Sequence, residues 1–487
     1  MTDIAYEGWE PVIGLEIHVQ LSTASKLFSP APNRFGDEPN LNISAVCTGQ
    51  PGALPVLNKE AVRKAVLFGL AVGARIAPLS KFDRKSYFYP DSPRNFQITQ
   101  YDQPLLLGGV VAADVGEGTK HFCIHRAHLE DDAGMLKHFP AFGGVDYNRA
   151  GIPLLEIVSE PCMHSPKEAA AYAMAVRAIL QYIGASDCNM EEGSLRIDVN
   201  VSVRPKGKEG LNDKIEIKNM SSFANMELAL EAEIRRQIRA YALRPHDKDP
   251  IDKGTYRFDP GKKETVRMRT KEEAADYRYF PEPDLPPLHL SGAFIEEVRR
   301  SLPELPHQRY ERYVNRLGLT PYNASLLIND KPLSDYFEEG LKHCAHPTHL
   351  CNWITVEFVG RLKETGKRLP EMGIPARHIA KLVSLIESGA ITGKIAKNVA
   401  DEMLLDPGLD PEEIVRDNSA YQPLSDSKEI GAVVDAVLIE NPDSIAALQS
   451  GKTRAFDFLV GQVMKRTQGK ASPSVVNRLL KERLKRD

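Results

Sequence analysis

The sequence has few cysteines, no long apolar segment and none of the common nucleotide-binding motifs. Its six cysteines are spread over 487 residues without a regular spacing, which argues against a disulfide scaffold and favours a reducing compartment. No apolar run approaches the roughly 18–20 residues of a membrane-spanning helix. Residues 1–10 lack the basic and apolar regions of a secretory signal. We therefore expect a cytoplasmic protein without a membrane partner.

The motifs of the largest nucleotide-binding and hydrolase families are missing in their usual forms. Gly451-Lys-Thr453 ends like a phosphate-binding loop, but position 446 is Ala and not Gly, and no G-x-G-x-x-G follows a predicted strand. The G-x-S-x-G turn of α/β-hydrolases is also absent. If this protein binds ATP, it does so without a P-loop or a Rossmann turn.

Charge is distributed unevenly along a chain whose composition is that of a folded globular protein. The net charge is −4 overall, with 42% hydrophobic and 26% charged residues. Residues 401–450 have a net charge of −10, whereas residues 451–487 have a net charge of +7. A basic terminal segment suggests a polyanionic partner such as nucleic acid, although a solvated helical face explains the charge equally simply.

Three segments in the first part of the chain alternate between apolar and polar residues. Ile13–Leu21, Leu195–Val203 and Ile215–Lys218 each place apolar side chains on one face and polar side chains on the other. Helices are predicted between and after them, at 165–183 and at about 223–242. Ser165 is a suitable N-cap for the first helix, because Pro166 follows it at the first helical position.

The character of the chain changes after the proline-rich segment Pro281–Pro287, which cannot form a helix. Helical periodicity in short, proline-broken units follows it. We predict an α+β fold in which a domain with a mixed or antiparallel sheet precedes an all-helical domain and a small helical tail. The predicted boundaries are 1–295, 296–405 and 406–487.

The polar faces of the three predicted strands are rich in acids with cationic or imidazole neighbours. If these strands pair, their acids converge on one sheet surface, where a cation is needed to neutralise them. Mg²⁺ prefers carboxylate oxygens and commonly bridges to phosphates. A solvated sheet face with salt-bridged pairs is an equally good interpretation of the pattern. The residues concerned are Glu16 and His18, then Arg196, Asp198 and Asn200, then Glu216 and Lys218, with His128, Glu130 and Glu191 in neighbouring segments.

Two further segments have compositions that suggest binding sites. Lys85–Gln97 and Asp276–Asp284 combine cations with aromatic residues, which suits bases and phosphates but also suits a loop packed by its own rings. His343–Cys351 contains three His and two Cys. Its spacing matches neither a zinc finger nor a zinc ribbon, so we expect surface helix ends there and not a zinc site.

Together these segments resemble the B subunits of the glutamyl/aspartyl-tRNA amidotransferases, the GatB family. The resemblance covers essentially the whole chain, and residues 451–484 resemble a YqeY-type tail domain through GQVMKRTQGKASP and VNRLL. The other matching stretches are Ile13–Leu21, Lys85–Gln100, His128–Gly134, Asp146–Pro161, Met190–Arg204, Glu216–Phe223 and Thr270–Leu285.

The resemblance implies a ligase that forms carbon–nitrogen bonds with glutamine as nitrogen donor. Such complexes are heterotrimers that convert mischarged Glu-tRNA(Gln) to Gln-tRNA(Gln), and often Asp-tRNA(Asn) to Asn-tRNA(Asn). An amidase-type partner chain releases ammonia, the GatB-type chain uses ATP and Mg²⁺ to phosphorylate the side-chain carboxylate, and a small third chain braces the assembly. Ammonia then displaces the phosphate. The resemblance also implies that the first domain is a glutamine-synthetase-like cradle.

Roles for individual residues follow from the pattern and the resemblance together. Metal and phosphate binding is assigned to Glu16, His18, Glu130 and Glu216. Orientation of ATP or of the aminoacyl end is assigned to Arg196, Asp198, Asn200 and Lys218, with Glu191 at the edge of the site. The ammonia path is assigned to Lys85 and Tyr87. Contacts with the tRNA body, mainly at phosphates, are assigned to Lys452, Arg454, Lys465, Arg466, Lys470 and Asn477.

Three alternatives differ in which features of the chain they require. The archaeal E-type amidotransferase protein has an extra synthetase-like domain, for which we expect no room in 487 residues. A non-catalytic tRNA-binding module would need the basic tail but not the acid-lined sheet. A free-standing ligase of the glutamine synthetase type would need the sheet but not the tail. Which of the two tRNAs is served depends on the accompanying synthetases.

Overall fold

The fold is taken from a computed structural model that describes residues 6–218, 220, 222–244, 250–268, 276–421, 424, 427–449, 454–467 and 469–484. The chain forms two compact units, which divide between Arg309 and Tyr310. The first unit combines strands and helices, and all named elements of the second are helical. An α+β fold with a helical C-terminal part is therefore confirmed. No helix within the described ranges is long and apolar enough to cross a membrane.

Seventeen strands are described, and all lie in the first unit. They are β1 (Trp9–Gln20), β2 (Arg75–Ile76), β3 (Leu79–Ser80), β4 (Asp83–Ser86), β5 (Phe96–Thr99), β6 (Leu106–Leu107), β7 (Val110–Asp114), β8 (Thr119–Asp131), β9 (Met135–His138), β10 (Gly143–Asp146), β11 (Pro153–Ser159), β12 (Leu195–Pro205), β13 (Ile215–Lys218), β14 (Thr255–Asp259), β15 (Glu264–Arg267), β16 (Phe280–Pro281) and β17 (Leu288–His289).

The main sheet contains thirteen of these strands, with the main path β15-β14-β13-β12-β1-β11-β8-β5-β4-β16. Its described pairings are antiparallel except for β13 with β14, which are parallel. The long strand β1 lies at the centre, between β11 and β12. The three predicted strands are thus confirmed as neighbours, in the order β13, β12 and β1.

Strand alternation explains why one face of the sheet forms the core. Ile13, Leu15, Ile17 and Val19 of β1 are all buried with at most 1% exposure, and each such side chain contributes about 1.5–3 kcal/mol when it is removed from water. Residues at the intervening positions of β1 therefore point to the opposite face of the sheet.

Helices α1 (Lys59–Ala71), α2 (Pro166–Tyr182), α3 (Phe223–Leu243) and α4 (Gly292–Arg300) complete the first unit. The predicted N-cap is confirmed, since the backbone N–H of Glu168 donates to Ser165 Oγ at 3.2 Å. Helix α4 packs on α1, where Lys59 Nζ lies 5.8 Å from the centre of the Phe294 ring. The first unit accordingly extends past the proline-rich segment.

The second unit is built from short helices around two separate apolar clusters. One cluster runs from Tyr313 to Val415, and the other from Ile430 to Leu480. The helices are α5 (Pro306–Asn315), which begins just before the unit, α6 (Pro321–Ile328), α7 (Lys331–Leu341), α8 (Pro347–Asn352), α9 (Val359–Leu362), α10 (Ala376–Glu387), α11 (Gly393–Leu405), α12 (Pro411–Asp417), α13 (Ser427–Glu440), α14 (Pro442–Gln449), α15 (Arg454–Arg466) and α16 (Pro473–Leu484).

Candidate active site

Four neighbouring strands align a row of polar side chains across the sheet. His18 on β1 lies opposite Glu156 on β11 and opposite Arg196 on β12. Glu156 in turn lies opposite His128 on β8. Directly paired residues of antiparallel strands have side chains on the same face, so this register brings two imidazoles, a carboxylate and a guanidinium together.

The row forms the floor of a cleft of about 540 Å³. Tyr87, Tyr101, Tyr277 and Tyr279 contribute aromatic rings to its lining, and Tyr101 stacks on Tyr279 with ring centres 4.0 Å apart. A cleft of this size with mostly polar walls suits a charged ligand. Its charged and imidazole side chains are Glu16, His18, Lys85, Asp91, Arg126, His128, Glu130, Asp132, Arg149, Glu156, Arg196, Asp198, Glu216 and Lys218.

Glu156 is the central anion of the cleft floor. Its Oε2 lies 3.6 Å from His18 Nε2 and 3.5 Å from His128 Nε2. Burial alone would raise the pKa of Glu156, but the adjacent imidazoles of His128 and His18 and the Lys85 ammonium hold it well below its usual value. Glu156 is therefore ionised at neutral pH, although it is buried.

The pKa values of the two imidazoles are shifted in opposite directions. Burial lowers the pKa of His18, but its close contact with Glu156 and the negative charges of Glu156, Glu130 and Glu16 outweigh burial and raise the pKa to about 9. Burial is the largest effect on His128, and it lowers the pKa of that residue. Glu156 and Glu130 oppose this effect on His128, and His18 is protonated at neutral pH.

Glu16 is destabilised as an anion by its surroundings. Burial raises its pKa to about 7, and the negative charge of Glu156 contributes to this rise, although His18 opposes the shift. Glu16 lies opposite Asp198 in the register of β1 and β12. Like charges at this spacing favour binding of a cation, which would return Glu16 to its ionised form.

Two overlapping groups of side chains have the donor atoms of a metal site. Glu16, His18 and Asp198 form one group, and His18, Glu130 and Glu156 form the other, with the candidate ligand atoms of each group within 4.8 Å of one another. Glu130 Oε2 is buried without a hydrogen-bond partner among the described residues. A divalent cation would satisfy that oxygen, so the residues present fit a metal ion.

Glu216 is in the cleft but belongs to neither group. Its carboxylate lies 3.2 Å from Lys218 Nζ and accepts a hydrogen bond of 3.2 Å from Thr255 Oγ1. Lys218 also lies 3.4 Å from Asp198. The assignment of Glu216 as a metal ligand stays a prediction. In this structure its carboxylate instead holds the Lys218 ammonium in place.

The cations of the cleft are held by buried carboxylates. Arg196 donates to Asp132 Oδ2 at 2.7 Å, and Gln20 donates to the same oxygen at 2.8 Å. The Nε atoms of Arg126 and Arg196 are buried without a partner among the described residues. These orphaned donors are suited to an anionic ligand, since a buried N–H is costly when it is left unpaired.

The structure places both residues assigned to the ammonia path in the cleft lining. Lys85 Nζ lies 5.1 Å from the centre of the Tyr277 ring. Burial lowers the pKa of Lys85, but the negative charge of Glu130 and the neighbouring Tyr279 and Glu156 outweigh burial, so the pKa is raised overall. Lys85 is a permanent cation here.

Two residues assigned to the site do not line the cleft. Glu191 is exposed in the turn before β12, where its backbone N–H donates to Asn189 Oδ1 at 3.0 Å. Asn200 lies further along β12, opposite Gly14 and Glu216. Neither is among the cleft-lining residues, and their roles stay predictions.

The residues assigned to tRNA binding lie in the terminal helical segment as far as the structure describes them. Lys452 falls outside the described residues. Arg454 and Lys465 are exposed on α15, and Arg466 forms an ion pair of 2.7 Å with Glu440. Lys470 and Asn477 are half-buried. Their tRNA contacts remain predictions.

The His/Cys segment does not gather its thiols and imidazoles. Cys344 and Cys351 are buried in the larger apolar cluster of the second unit, and burial raises the pKa of both. Its histidines pair with carboxylates at the surface instead. No cysteine of this segment belongs to a group with metal-ligand spacing among the residues that the structure describes.

The sequence analysis assigns no role to Glu156, Asp132 or Tyr279, although all three line the cleft and Tyr279 lies in the aromatic segment Asp276–Asp284. A lone acid inside the apolar strand Pro153–Ser159 is a signal that could have identified Glu156. Asp132 follows directly after β8, and its importance depends on distant partners such as Arg196.

Comparison with known proteins identifies the family. The profile of the GatB/GatE catalytic domain matches residues 11–296, and that of the GatB domain matches residues 335–484. The chain is 64% identical, over 99% of its length and 98% of the relative, to the B subunit of the aspartyl/glutamyl-tRNA(Asn/Gln) amidotransferase of Protochlamydia amoebophila. It is 58% identical to the protein of the same name from Chlamydia pneumoniae, over 98% of each of the two chains. It is also 58% identical to the protein of that name from Chlamydia abortus, over 99% of each chain. The chain therefore belongs to the GatB family of amidotransferase B subunits.

Proposed function

We propose that this protein is the component of a tRNA-dependent amidotransferase that activates and amidates the side-chain carboxylate of Glu-tRNA(Gln), Asp-tRNA(Asn) or both. The reaction is a glutamine-dependent carbon–nitrogen ligation. The main structural support for this proposal is the composition of one cleft. It combines one imidazole and three carboxylates with two cations, namely Glu16, His18, Glu130 and Glu156 with Lys85 and Arg196. This is a set of groups for handling phosphate and cation together, without a P-loop.

The chemistry requires that a carboxylate becomes an acyl donor. A side-chain oxygen attacks the γ-phosphorus of ATP, the bond to ADP breaks, and an acyl phosphate is formed. Ammonia then attacks the acyl carbon, phosphate leaves, and a proton is released as the amide forms. Phosphoryl transfer depends mainly on positioning and on stabilisation of charge, which fits a cleft rich in fixed charges.

We assign the acidic side of the cleft to Mg²⁺. Glu16, His18 and Glu130 would hold it, with Glu156 and Asp198 as the further donors that the two groups contain. When bound, Mg²⁺ neutralises charge on the phosphates. To bind Mg²⁺, His18 would have to lose its proton, and its contact of 3.6 Å with Glu156 favours the protonated form. A protonated His18 would instead donate a hydrogen bond to phosphate.

The cationic side of the cleft would hold the nucleotide and the acyl phosphate. Arg196 is fixed by Asp132, so its guanidinium is pre-oriented and loses little entropy on binding. Lys85 is charged and cannot serve as a base, so we assign it to the phosphate or to the wall of the ammonia path. Tyr87 contributes to the same lining.

Ammonia must reach the acyl phosphate faster than water does. A partner chain of the amidase type would supply ammonia from glutamine, and a small third chain would brace the pair.

We infer that the first domain, 1–295, acts as a glutamine-synthetase-like cradle, that 296–405 is a connecting helical domain, and that 406–487 holds the tRNA body. These domain roles rest on the family and on the basic terminal segment.

The test uses the chain co-purified with the amidase-type and small partner chains of the same organism. Glu-tRNA(Gln), ATP, Mg²⁺ and glutamine are supplied, and the esterified amino acid is identified after deacylation. We expect Gln-tRNA(Gln). Asp-tRNA(Asn) is assayed in parallel, and ammonium replaces glutamine in a second arm to separate failure of ammonia supply from failure of activation.

A matched pair of variants locates the chemistry. Glu16→Gln removes a charge from the cleft, whereas Glu117→Gln removes a charge from the exposed segment between β7 and β8, outside the cleft. We expect loss of amidation in the first variant with tRNA binding retained, and little change in the second. Absence of amidation in the wild-type complex with both nitrogen donors and both tRNAs, while tRNA binds, would exclude the proposed activity and favour a binding module.

A further inference from the structure

Two histidines and a glutamate meet on the surface of the second unit, far from the cleft residues in the sequence. His346 precedes α8 and His349 lies within it, and Glu387 is the last residue of α10. His349 Nδ1 lies 2.5 Å from Glu387 Oε1, and His346 Nδ1 lies 4.0 Å from Glu387 Oε2. The two rings are nearly parallel, with an angle of 19° between their planes.

The backbone that carries these side chains is fixed by the apolar core. Leu350 and Cys351 of α8 are fully buried, as are Leu382 and Val383 of α10, and all four belong to one cluster. The carbonyl of His346 accepts a hydrogen bond of 3.0 Å from the N–H of Leu350. The three exposed side chains therefore project from a well-packed backbone and need only rotamer changes to adjust.

The distances suit a transition metal. The three candidate ligand atoms lie within 4.8 Å of one another. Around a tetrahedral Zn²⁺ with bonds of about 2.0–2.1 Å, neighbouring ligand atoms are about 3.3 Å apart. The contacts with Glu387, of His349 to Oε1 and of His346 to Oε2, fall on either side of that value, so shifts of about 1 Å in these side chains bring the ligand atoms toward it. His346 has 46% of its side chain exposed and has room to move.

We propose that His346, His349 and Glu387 form a binding site for Zn²⁺ that links α8 to α10. Two imidazoles and one carboxylate are a donor set of zinc, whereas Mg²⁺ and Ca²⁺ select oxygen ligands. The remaining coordination positions face solvent and are filled by water or by a ligand from another molecule. The stretch that follows α8, Trp353–Phe358, is a π-helix, a rare conformation that is frequent at functional sites.

The site differs from the zinc finger or ribbon that the His/Cys segment suggests. The buried thiols of Cys344 and Cys351 take no part, and the third ligand comes from a helix 38 positions after His349 in the chain. In the absence of metal, His349 Nδ1 and Glu387 Oε1 contact each other directly, so the ion separates them when it binds.

The experiment measures Zn²⁺ binding to the tag-free full-length chain by isothermal titration calorimetry. The variants are His349→Ala and Glu387→Gln, and the control is His343→Ala. His343 is on the same segment, is similarly exposed and pairs with Glu339 at 3.8 Å, but it is not part of the group. The cleft and the thiols can also bind Zn²⁺. The quantity to compare is therefore the number of Zn²⁺ equivalents that each variant binds relative to the wild type.

We expect the wild type and His343→Ala to bind one more equivalent of Zn²⁺ than His349→Ala and Glu387→Gln. We also expect Zn²⁺ to raise the unfolding temperature of the wild type by more than that of His349→Ala, because the ion stabilises the folded state only where it binds. Equal equivalents in the wild type and His349→Ala, or an equal loss in His343→Ala, would overturn the proposal. Since all substituted side chains are exposed, the metal-free variants should have wild-type unfolding temperatures.

Discussion

Glu156 lies directly opposite His18 in the register of β11 and β1, and its carboxylate Oε2 is 3.6 Å from His18 Nε2. This contact, together with the charges of Glu130 and Glu16, outweighs the effect of burial and keeps the imidazole protonated at neutral pH. The charge state of one residue in the cleft floor is thus set largely by its neighbour on the adjacent strand.

Glu156→Gln should lower the pKa of His18 and abolish amidation. Without the anion, burial dominates, and His18 should titrate well below its value of about 9 in the metal-free wild type. The measurement is an NMR titration of the labelled histidines, combined with the amidation assay. His125 pairs with Glu160 outside the cleft and serves as an internal reference. An unchanged His18 pKa would contradict this role of Glu156.

Binding of Mg²⁺ should weaken as the pH falls through about 7. The pKa of Glu16 is raised to about 7 by burial and by Glu156, so binding of the cation must displace a proton below that pH. Above it, Glu16 is already ionised and releases no proton, so any proton still released at pH 8 comes from His18, whose pKa is about 9. Titration calorimetry at pH 6 and pH 8, in two buffers of different ionisation enthalpy, measures both affinity and proton release. Equal affinity at the two pH values would exclude Glu16 as a ligand.

Arg94→Ala should destabilise the first unit by about 3–5 kcal/mol, because it leaves a buried charge unpaired. Arg94 donates to Asp131, which is 2% exposed and also accepts a hydrogen bond of 2.8 Å from the Ile98 N–H. Burial raises the pKa of Asp131 even though Arg94 opposes this. The intact pair therefore adds little stability, but breaking it is costly.

Chemical denaturation measures the free energy of unfolding of this variant. The control is Arg416→Ala, which removes an exposed pair with Asp417 and should change stability by about 0–1 kcal/mol. A similar small loss in both variants would show that Asp131 is neutralised by other means.

Lys465→Gln should weaken tRNA binding more than Arg466→Gln does. Both side chains are exposed on α15, but Arg466 is already engaged with Glu440 at 2.7 Å, whereas no salt bridge of Lys465 is described. Loss of one phosphate contact should reduce the slope of log affinity against log salt by roughly 0.7–0.9. Filter binding over a range of salt concentrations gives the slope. An unchanged slope in Lys465→Gln would remove this residue from the tRNA contact.

Much of the fold could be predicted because its signals are local. The alternation of Ile13–Leu21 and Leu195–Val203 predicts β1 and β12, and the N-cap Ser165 predicts the start of α2. The two-residue strands β2, β3 and β6 have no such pattern. They are defined by partners elsewhere in the first unit, and no window of the sequence contains that information.

The candidate site was predictable in part for the same reason. Acidic residues are uncommon on the polar faces of strands, so Glu16 and Asp198 can be recognised from the sequence alone. Glu156 is hidden in an apolar strand, and its role depends on the register between β11 and β1. The pairing of Arg196 with Asp132 likewise joins residues that are 64 positions apart. Register and long-range ion pairs are tertiary properties, so local patterns do not contain them.

The central position of β1 also affects how the chain can fold during synthesis. Glu16 pairs across the sheet with Val158 and Asp198, so neither neighbour of β1 exists until long after β1 itself is made. At about 5–20 residues per second, the ribosome needs on the order of 10–40 s to reach β12. During that interval an apolar strand is without its sheet partners in the nascent chain. Shielding of the first strand by a chaperone would therefore be most valuable before residue 205 emerges, and a chain that stops short of it would be prone to aggregate.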